Sequence, residues 1–211
     1  MVMTKTMLVV LFVLLFVNVH FGQKKEISGR EFADAVQLAQ NNAAKFNRRM
    51  SNRIEELEDQ TVTASYDWFS ETLVSGRTRW IFTRKSGDKT LVTEQIEIGK
   101  INYCRENRGP WLLKKCSNAL LGMGGNTISE RYSTDKVEIG GQKMSHYVSY
   151  TTSGFESDPD FEESEVWIDS SGRIDRRQGR SGSVRTGKLS SRSTTTYLYD
   201  PQGLKIEAPI K

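Results

Sequence analysis

The sequence is short of the residues on which most catalysis and metal binding rest. It has 2 cysteines and 2 histidines in 211 residues, and His20 lies in the N-terminal apolar region. Cys104, Cys116 and His146 are what remains, too few for the four ligands of a structural zinc site. A C-x-x-C redox pair is absent, because eleven residues (105 to 115) lie between the cysteines. No G-x-S-x-G elbow, P-loop or dinucleotide fingerprint occurs. The glycines of LGMGGN follow no parallel-strand pattern and come with no suitable lysine. A Ser–His–Asp or Cys–His site would have to use His146. That residue stands mid-strand in an apolar alternation, where a satisfied core or cleft histidine is expected. The acidic stretch Asp158, Asp160, Glu162, Glu163 and Glu165 lacks the glycine and spacing of an EF-hand loop and reads as a solvated turn. Nothing places two carboxylates across a cleft for glycoside hydrolysis. No metal and no cofactor are expected, and an enzyme is the least favoured reading.

Long hydrophobic runs are also missing beyond residue 22. Before it, Met7 to Val17 is an unbroken apolar run of eleven, preceded by Lys5 and no acidic residue. That is short for a membrane span, which takes about 20 residues, and fits the apolar core of a secretory signal. Cleavage is expected near Gly22–Gln23, with an uncleaved anchor as the alternative. Residues 1–22 are thus read as a signal peptide and 23–211 as a single domain, exported to a periplasmic or extracellular space. The formal charge is +4, or +3 once Lys5 is removed. Basic and acidic residues are interspersed, unlike the one-sided stripe of a nucleic-acid binder, so no nucleic-acid partner is expected. Arg173, Arg176, Arg177 and Arg180 form a modest basic cluster, read as a solvated strand and turn. Two cysteines in an exported chain read as one disulfide, Cys104–Cys116.

What the sequence does contain begins with an amphipathic stretch. Ser28 is followed three residues later by Glu31, the capping-box spacing. Phe32, Val36, Ala39, Ala43, Phe46, Met50, Ile54 and Leu57 then recur at three- and four-residue steps, with no proline among them. This predicts one long helix from about Ser28 to Leu57 with a single apolar stripe. Leu38 falls toward its polar side.

From about Thr61 the period becomes two, broken by turns at Ser75-Gly76, Ser86-Gly87-Asp88, Gly140-Gly141 and Ser170-Ser171-Gly172. Ala64, Tyr66 and Trp68 share one side of their strand. Trp80 and Phe82 share a face, as do Val92, Ile96 and Ile98, and Met144, His146, Val148 and Tyr150. SNALLGMGGNT reads as a mobile loop or short helical turn, and GSVRTGKLSSRS as a basic loop. The expected fold is α+β and mainly β. A curled antiparallel sheet of seven or more strands, an incomplete barrel, carries the helix on its concave side over an apolar cleft.

Three stretches resemble the exported proteins of the LolA/LppX-like superfamily. They are EQIEIGKINYCRENRGPWLLKK, EVWIDSSGRIDRRQGR with its V-W-I-D hairpin, and YLYDPQGLKIEAPIK with its closing I-x-A-P. The family includes a periplasmic lipoprotein carrier and related lipid-binding proteins. The resemblance implies an incomplete barrel with a helical lid, and acyl chains held between sheet and lid. Cys104, Cys116 and the basic insert Arg185–Arg192 depart from the family pattern.

The expected function is therefore a non-enzymatic exported carrier or binder of a lipid or lipid-anchored protein. It would act as a monomer, with transient membrane or membrane-protein contact. Strand alternation nominates Trp68, Trp80, Phe82, Ile96, Ile98, Tyr103, Val148, Tyr150, Trp167 and Tyr197 for the apolar cavity. The lid would present Phe32, Val36, Ala39, Ala43, Phe46 and Met50. The alternative is a secreted module that recognises protein or an anionic surface through Arg173–Arg180.

Overall fold

The computed structural model describes residues 23–116, 126–155 and 157–210. Residues 1–22, read above as a signal peptide, and residues 117–125 of the SNALLGMGGNT stretch lie outside them.

The capping box forms as its spacing requires. Ser28 Oγ accepts from the Glu31 amide at 3.2 Å, and the Ser28 amide donates to Glu31 Oε2 at 2.8 Å. The helix it starts, α1, runs from Gly29 to Ala43. The last fourteen residues of the expected helix, 44–57, are not helical. Phe46 lies in the connection, and Arg48–Glu58 is a strand, β2. Met50 and Ile54 misled because four-residue spacing satisfies a period of two as well as one of 3.6. Leu57, three residues after Ile54, fits the helical period but not strict alternation, and a register shift between Glu56 and Leu57 accommodates it in the strand. As a strand, β2 pairs on both sides, with β3 (Thr61–Thr72) and β11 (Leu189–Tyr199). A helix there would leave both neighbours with unpaired edges, whose backbone groups need partners.

The remaining strands are β1 (Lys25–Ile27), β4 (Thr78–Ser86), β5 (Lys89–Ile98), β6 (Ile101–Glu106), β7 (Thr127–Ile139), β8 (Gln142–Phe155), β9 (Asp158–Ile168) and β10 (Ile174–Ser183). All form one antiparallel sheet ordered β1-β7-β8-β9-β10-β11-β2-β3-β4-β5-β6. Its two edges, β1 and β6, do not pair, so the expected unclosed, mainly β fold is found. The acidic stretch from Asp158 is strand β9 rather than a turn, held by pairs such as Glu163–Arg180 at 2.9 Å. The chain after Tyr199 is not a closing strand. It crosses the sheet and buries Ile206 against Ile96 and Tyr103.

Helix α1 packs over one half of the sheet. Ala39 joins Val166, Ile168 and Ile174 in a core, with Phe32, Val36, Tyr147 and Tyr197 packed against it. The small residues at 39 and 43 let the helix approach closely, as their place in the stripe suggested. Gly29 meets the Tyr132 ring, where an added Cβ would come within 2.9 Å. At the other end Asn42 Nδ2 donates to the Gly172 carbonyl at 3.2 Å. Gly172 has φ 73°, and an added Cβ would lie 3.0 Å from that same nitrogen, so the β9–β10 turn and the helix end share one glycine. Leu38 is 62% exposed, on the polar side as read.

Candidate functional site: the helix face of the sheet

Cross-strand register assigns every strand residue to one of two faces, because directly paired residues point the same way. One continuous row runs Tyr147–Val166–Arg177–Thr195–Asn52–Trp68–Phe82 across β8, β9, β10, β11, β2, β3 and β4. A second row runs Tyr197–Met50–Ser70–Trp80–Gln95–Cys104. Both contain residues of the α1 contact, so both lie on the helix face.

That face has two halves. Under α1 it is packed. Beyond the helix, on β2 to β4, it carries an aromatic stripe. Trp68 lies 5.7 Å from Trp80 and 6.2 Å from Phe82, and Tyr66 stacks on Phe82 at 6.1 Å. The Arg84 guanidinium sits 5.6 Å over the Tyr66 ring. The stripe is backed by the disulfide, which forms between Cys104 on β6 and Cys116 in the segment after it, with Cα atoms 5.3 Å apart. Leu112 doubles back onto Cys104 through a pair of backbone hydrogen bonds at 2.9 and 2.8 Å. The cystine is buried against Trp80.

Of the residues nominated for the cavity, Trp68, Trp80, Phe82 and Tyr197 are brought to this face. Ile96, Ile98, Tyr103, Val148, Tyr150 and Trp167 are not, because the register places them on the opposite face. Ile96, Ile98 and Tyr103 instead pack with Ile206, Leu73 and Trp111. Alternation shows which residues of one strand share a face. Linking those sets between strands depends on turn lengths and bulges, such as the shift between Ile174 and Arg176. In β5 the stretch Thr93 to Ile96 is buried on both faces, so polarity did not reveal which side was inward. Of the lid residues, Phe32, Val36, Ala39 and Ala43 are on α1. Phe46 packs on Tyr199 at 6.1 Å beneath the Arg173 guanidinium, and Met50 belongs to the floor. The nomination also missed Arg177 and Asn52, whose polarity argued against an inward position.

The opposite face is occupied by charge. Arg49, Glu71, Arg79, Glu94 and Arg105 form an alternating ladder over β2 to β6, with 2.7 Å contacts at Arg49–Glu71 and Arg79–Glu94. His146 is held between Asp135 at 2.9 Å and Glu165 at 2.8 Å and stacks 4.6 Å from Trp167. Burial acts to lower its pKa, but the Glu165 hydrogen bond and the Asp135 charge outweigh that and raise it. Both ring nitrogens are engaged, as expected of a satisfied histidine. A shallow depression of about 430 Å³ lies on this face over Ser51, Phe69, Thr194 and Thr196. It is lined by strands alone and does not involve the helix.

The basic cluster does not form one surface. Arg173 pairs with Asp169 at 3.0 Å, Arg176 with Asp175 at 3.0 Å and Arg180 with Glu163 at 2.9 Å. Arg177 points to the helix face instead. Arg173 also lies 4.6 Å over the Tyr199 ring. Tyr199 donates to the Ile174 carbonyl at 2.6 Å, and burial, with Tyr197 and Asp169 nearby, pushes its pKa up to about 12.

Among the described residues no helix is long and apolar enough to cross a membrane. No family model and no curated protein matches the chain. Among solved structures it is similar to LprF from Mycobacterium bovis, over 89% of this chain and 100% of that one, at 12% identity and a TM-score of 0.48. It is also similar to NE2245 from Nitrosomonas europaea, over 81% of this chain and 94% of that one, at 11% identity and a TM-score of 0.31. NE2245 is a LolA superfamily protein.

Proposed function

We propose that the protein is an exported, non-enzymatic carrier or binding protein for acyl chains, either of a lipid or of a lipid-anchored protein. The observation behind this reading is the aromatic stripe of Tyr66, Trp68, Trp80 and Phe82. It lies on the same face as α1 but beyond the core that the helix seals. An acyl chain laid along it would exchange water for ring surface, at roughly 0.8 kcal/mol per buried CH₂. The motif resemblance points the same way. The chain would lie beside α1, not beneath it, because Ala39 and Ala43 bring the helix down onto the sheet. No cofactor takes part, and a monomer with transient membrane contact is sufficient.

Mild purification followed by native mass spectrometry tests this. Lipid should co-purify, and delipidated protein should take up a fluorescent fatty acid in competition with unlabelled acyl chains. Trp68→Ala combined with Phe82→Ala should abolish uptake. A mass without lipid together with no uptake would sink the proposal.

A further inference from the structure

Two buried side-chain donors lack a hydrogen-bond partner among the described residues, Arg177 Nε and Trp68 Nε1. They occupy the same cross-strand row of the helix face, with only Thr195 and Asn52 between them. Adjacent strands lie about 4.8 Å apart, so three strand steps separate the two backbones by about 14 Å. Thr195 Oγ1 donates to Asn52 Oδ1 at 3.1 Å. This fixes the Asn52 amide so that its NH₂ group stays available as a third donor.

The electrostatic setting of the row is one-sided. On β11, β2 and β3 the row's positions and those two residues to either side carry no Asp or Glu; on β10, Asp175 stands two residues before Arg177, at a bulge, and pairs with Arg176 at 3.0 Å. Glu55 and Asp67 face the other way with Arg53, Arg180 and Arg192, while Glu56, four residues from Asn52 on the helix face, accepts from the Tyr66 hydroxyl at 2.9 Å. Arg177 is thus a cation with no carboxylate at the row positions beside it, Val166 and Thr195, while Arg176 and Arg180 are paired. A buried donor without a partner costs about 1–3 kcal/mol, and unpartnered donors along one row, without an acceptor, are the complement of an oxyanion. The row ends at Trp68, where the aromatic stripe begins.

Building on the proposed acyl-chain reading, we infer that this row binds the anionic headgroup, phosphate or carboxylate, of an amphiphile whose tail lies on the stripe. Arg177 and Asn52 hold the oxyanion, and the Trp68 indole N–H marks the boundary between head and tail. The protein therefore selects anionic over neutral single-headed lipids.

The test is isothermal titration with four ligands: oleoyl lysophosphatidate, oleate, monoolein with the same tail, and inorganic phosphate. The two anionic amphiphiles should bind about tenfold more tightly than monoolein, as one charge-assisted contact allows. Inorganic phosphate should bind far more weakly than either. Arg177→Gln should bring the ratio to about one by weakening the two anionic amphiphiles, whereas Arg180→Gln, on the opposite face, should keep it. Should Arg177→Gln fail to fold by circular dichroism, Trp68→Phe keeps the ring and should cut the ratio two- to threefold. Equal binding of monoolein and the anionic lipids to the wild type, or an unchanged ratio in both variants, overturns the headgroup assignment alone. Phosphate binding as tight as that of the amphiphiles makes this a free-anion site and also overturns it. If no oleoyl ligand binds, the carrier reading falls and this inference with it.

Discussion

The two faces of one sheet solve the same packing problem in different ways. On the opposite face, neighbouring strands are tied by a ladder of alternating charges from Arg49 to Arg105, with Glu71 and Glu94 at its centre. The helix face has aliphatic core under α1, aromatic rings beyond it, and a single arginine row between. Charge that is paired in place contributes rigidity and resists reorganisation. Rings and an unpartnered donor row leave interactions to be completed by something else. The stable side and the receptive side are separated by the pleat of a single layer.

The largest expected effect separates them most sharply. Glu94→Ala leaves Arg79 and Arg105 without their shared carboxylate and should destabilise by about 3 kcal/mol. Acyl-chain uptake by the folded fraction should be unaffected. Urea unfolding read alongside fatty-acid titration checks both, and a loss of uptake in the folded protein would erase the distinction between the faces. Breaking the disulfide is next. Cys104→Ser with Cys116→Ser should cost up to about 3 kcal/mol. The effect should extend to the stripe, because the cystine packs on Trp80; tryptophan fluorescence should shift while His146 is undisturbed.

Ala39→Leu overfills the contact between α1 and Ile174 and should cost about 1–3 kcal/mol, whereas Leu38→Ala, one residue earlier and exposed, should stay within about 0.5 kcal/mol. Thermal unfolding compares the two directly. Equal effects would mean that the helix is not seated as described.

The smallest effect is the pH dependence of the His146 site. Its folded pKa is raised above the ordinary 6.5. Its stabilisation is therefore complete below about pH 6.5 and fades as pH rises through the folded value. Glu165 is lowered from 4.5, first by its hydrogen bond to His146. Its contribution is present above about pH 4.5 and fades as pH falls through that lower value. Stability from this site should peak between the two, and His146→Gln should flatten the decline on the alkaline side. A decline that persists in the variant would place its origin elsewhere.

Much of the fold was legible because its signals are local. Ser28 and Glu31 define the helix start by their own side chains, Gly172 is the kind of residue a tight turn with positive φ requires, and two-residue alternation marks strands from Thr61 onward. The helix end was not legible. Met50 and Ile54 stand four apart, which suits either period, and only pairing with β3 and β11 decides between them. The binding face was legible in part. Trp68, Trp80 and Phe82 were identified by their own strands, while Ile96 and Trp167 look equally apolar and lie on the other side. Arg177 gave no inward signal, since a charged residue in a basic run reads as surface.

The sequence by itself determined the elements whose causes lie within a few residues: the capped helix, the strands, their turns, and the pairing of its only two cysteines. Tertiary structure decided which side of each strand faces α1. It also decided that residues 48–58 join the sheet, and that Arg177 shares the helix face while Arg176 and Arg180 lie on the other. Those choices rest on register, bulges and backbone hydrogen bonds to strands more than a hundred residues away, and no local pattern encodes them.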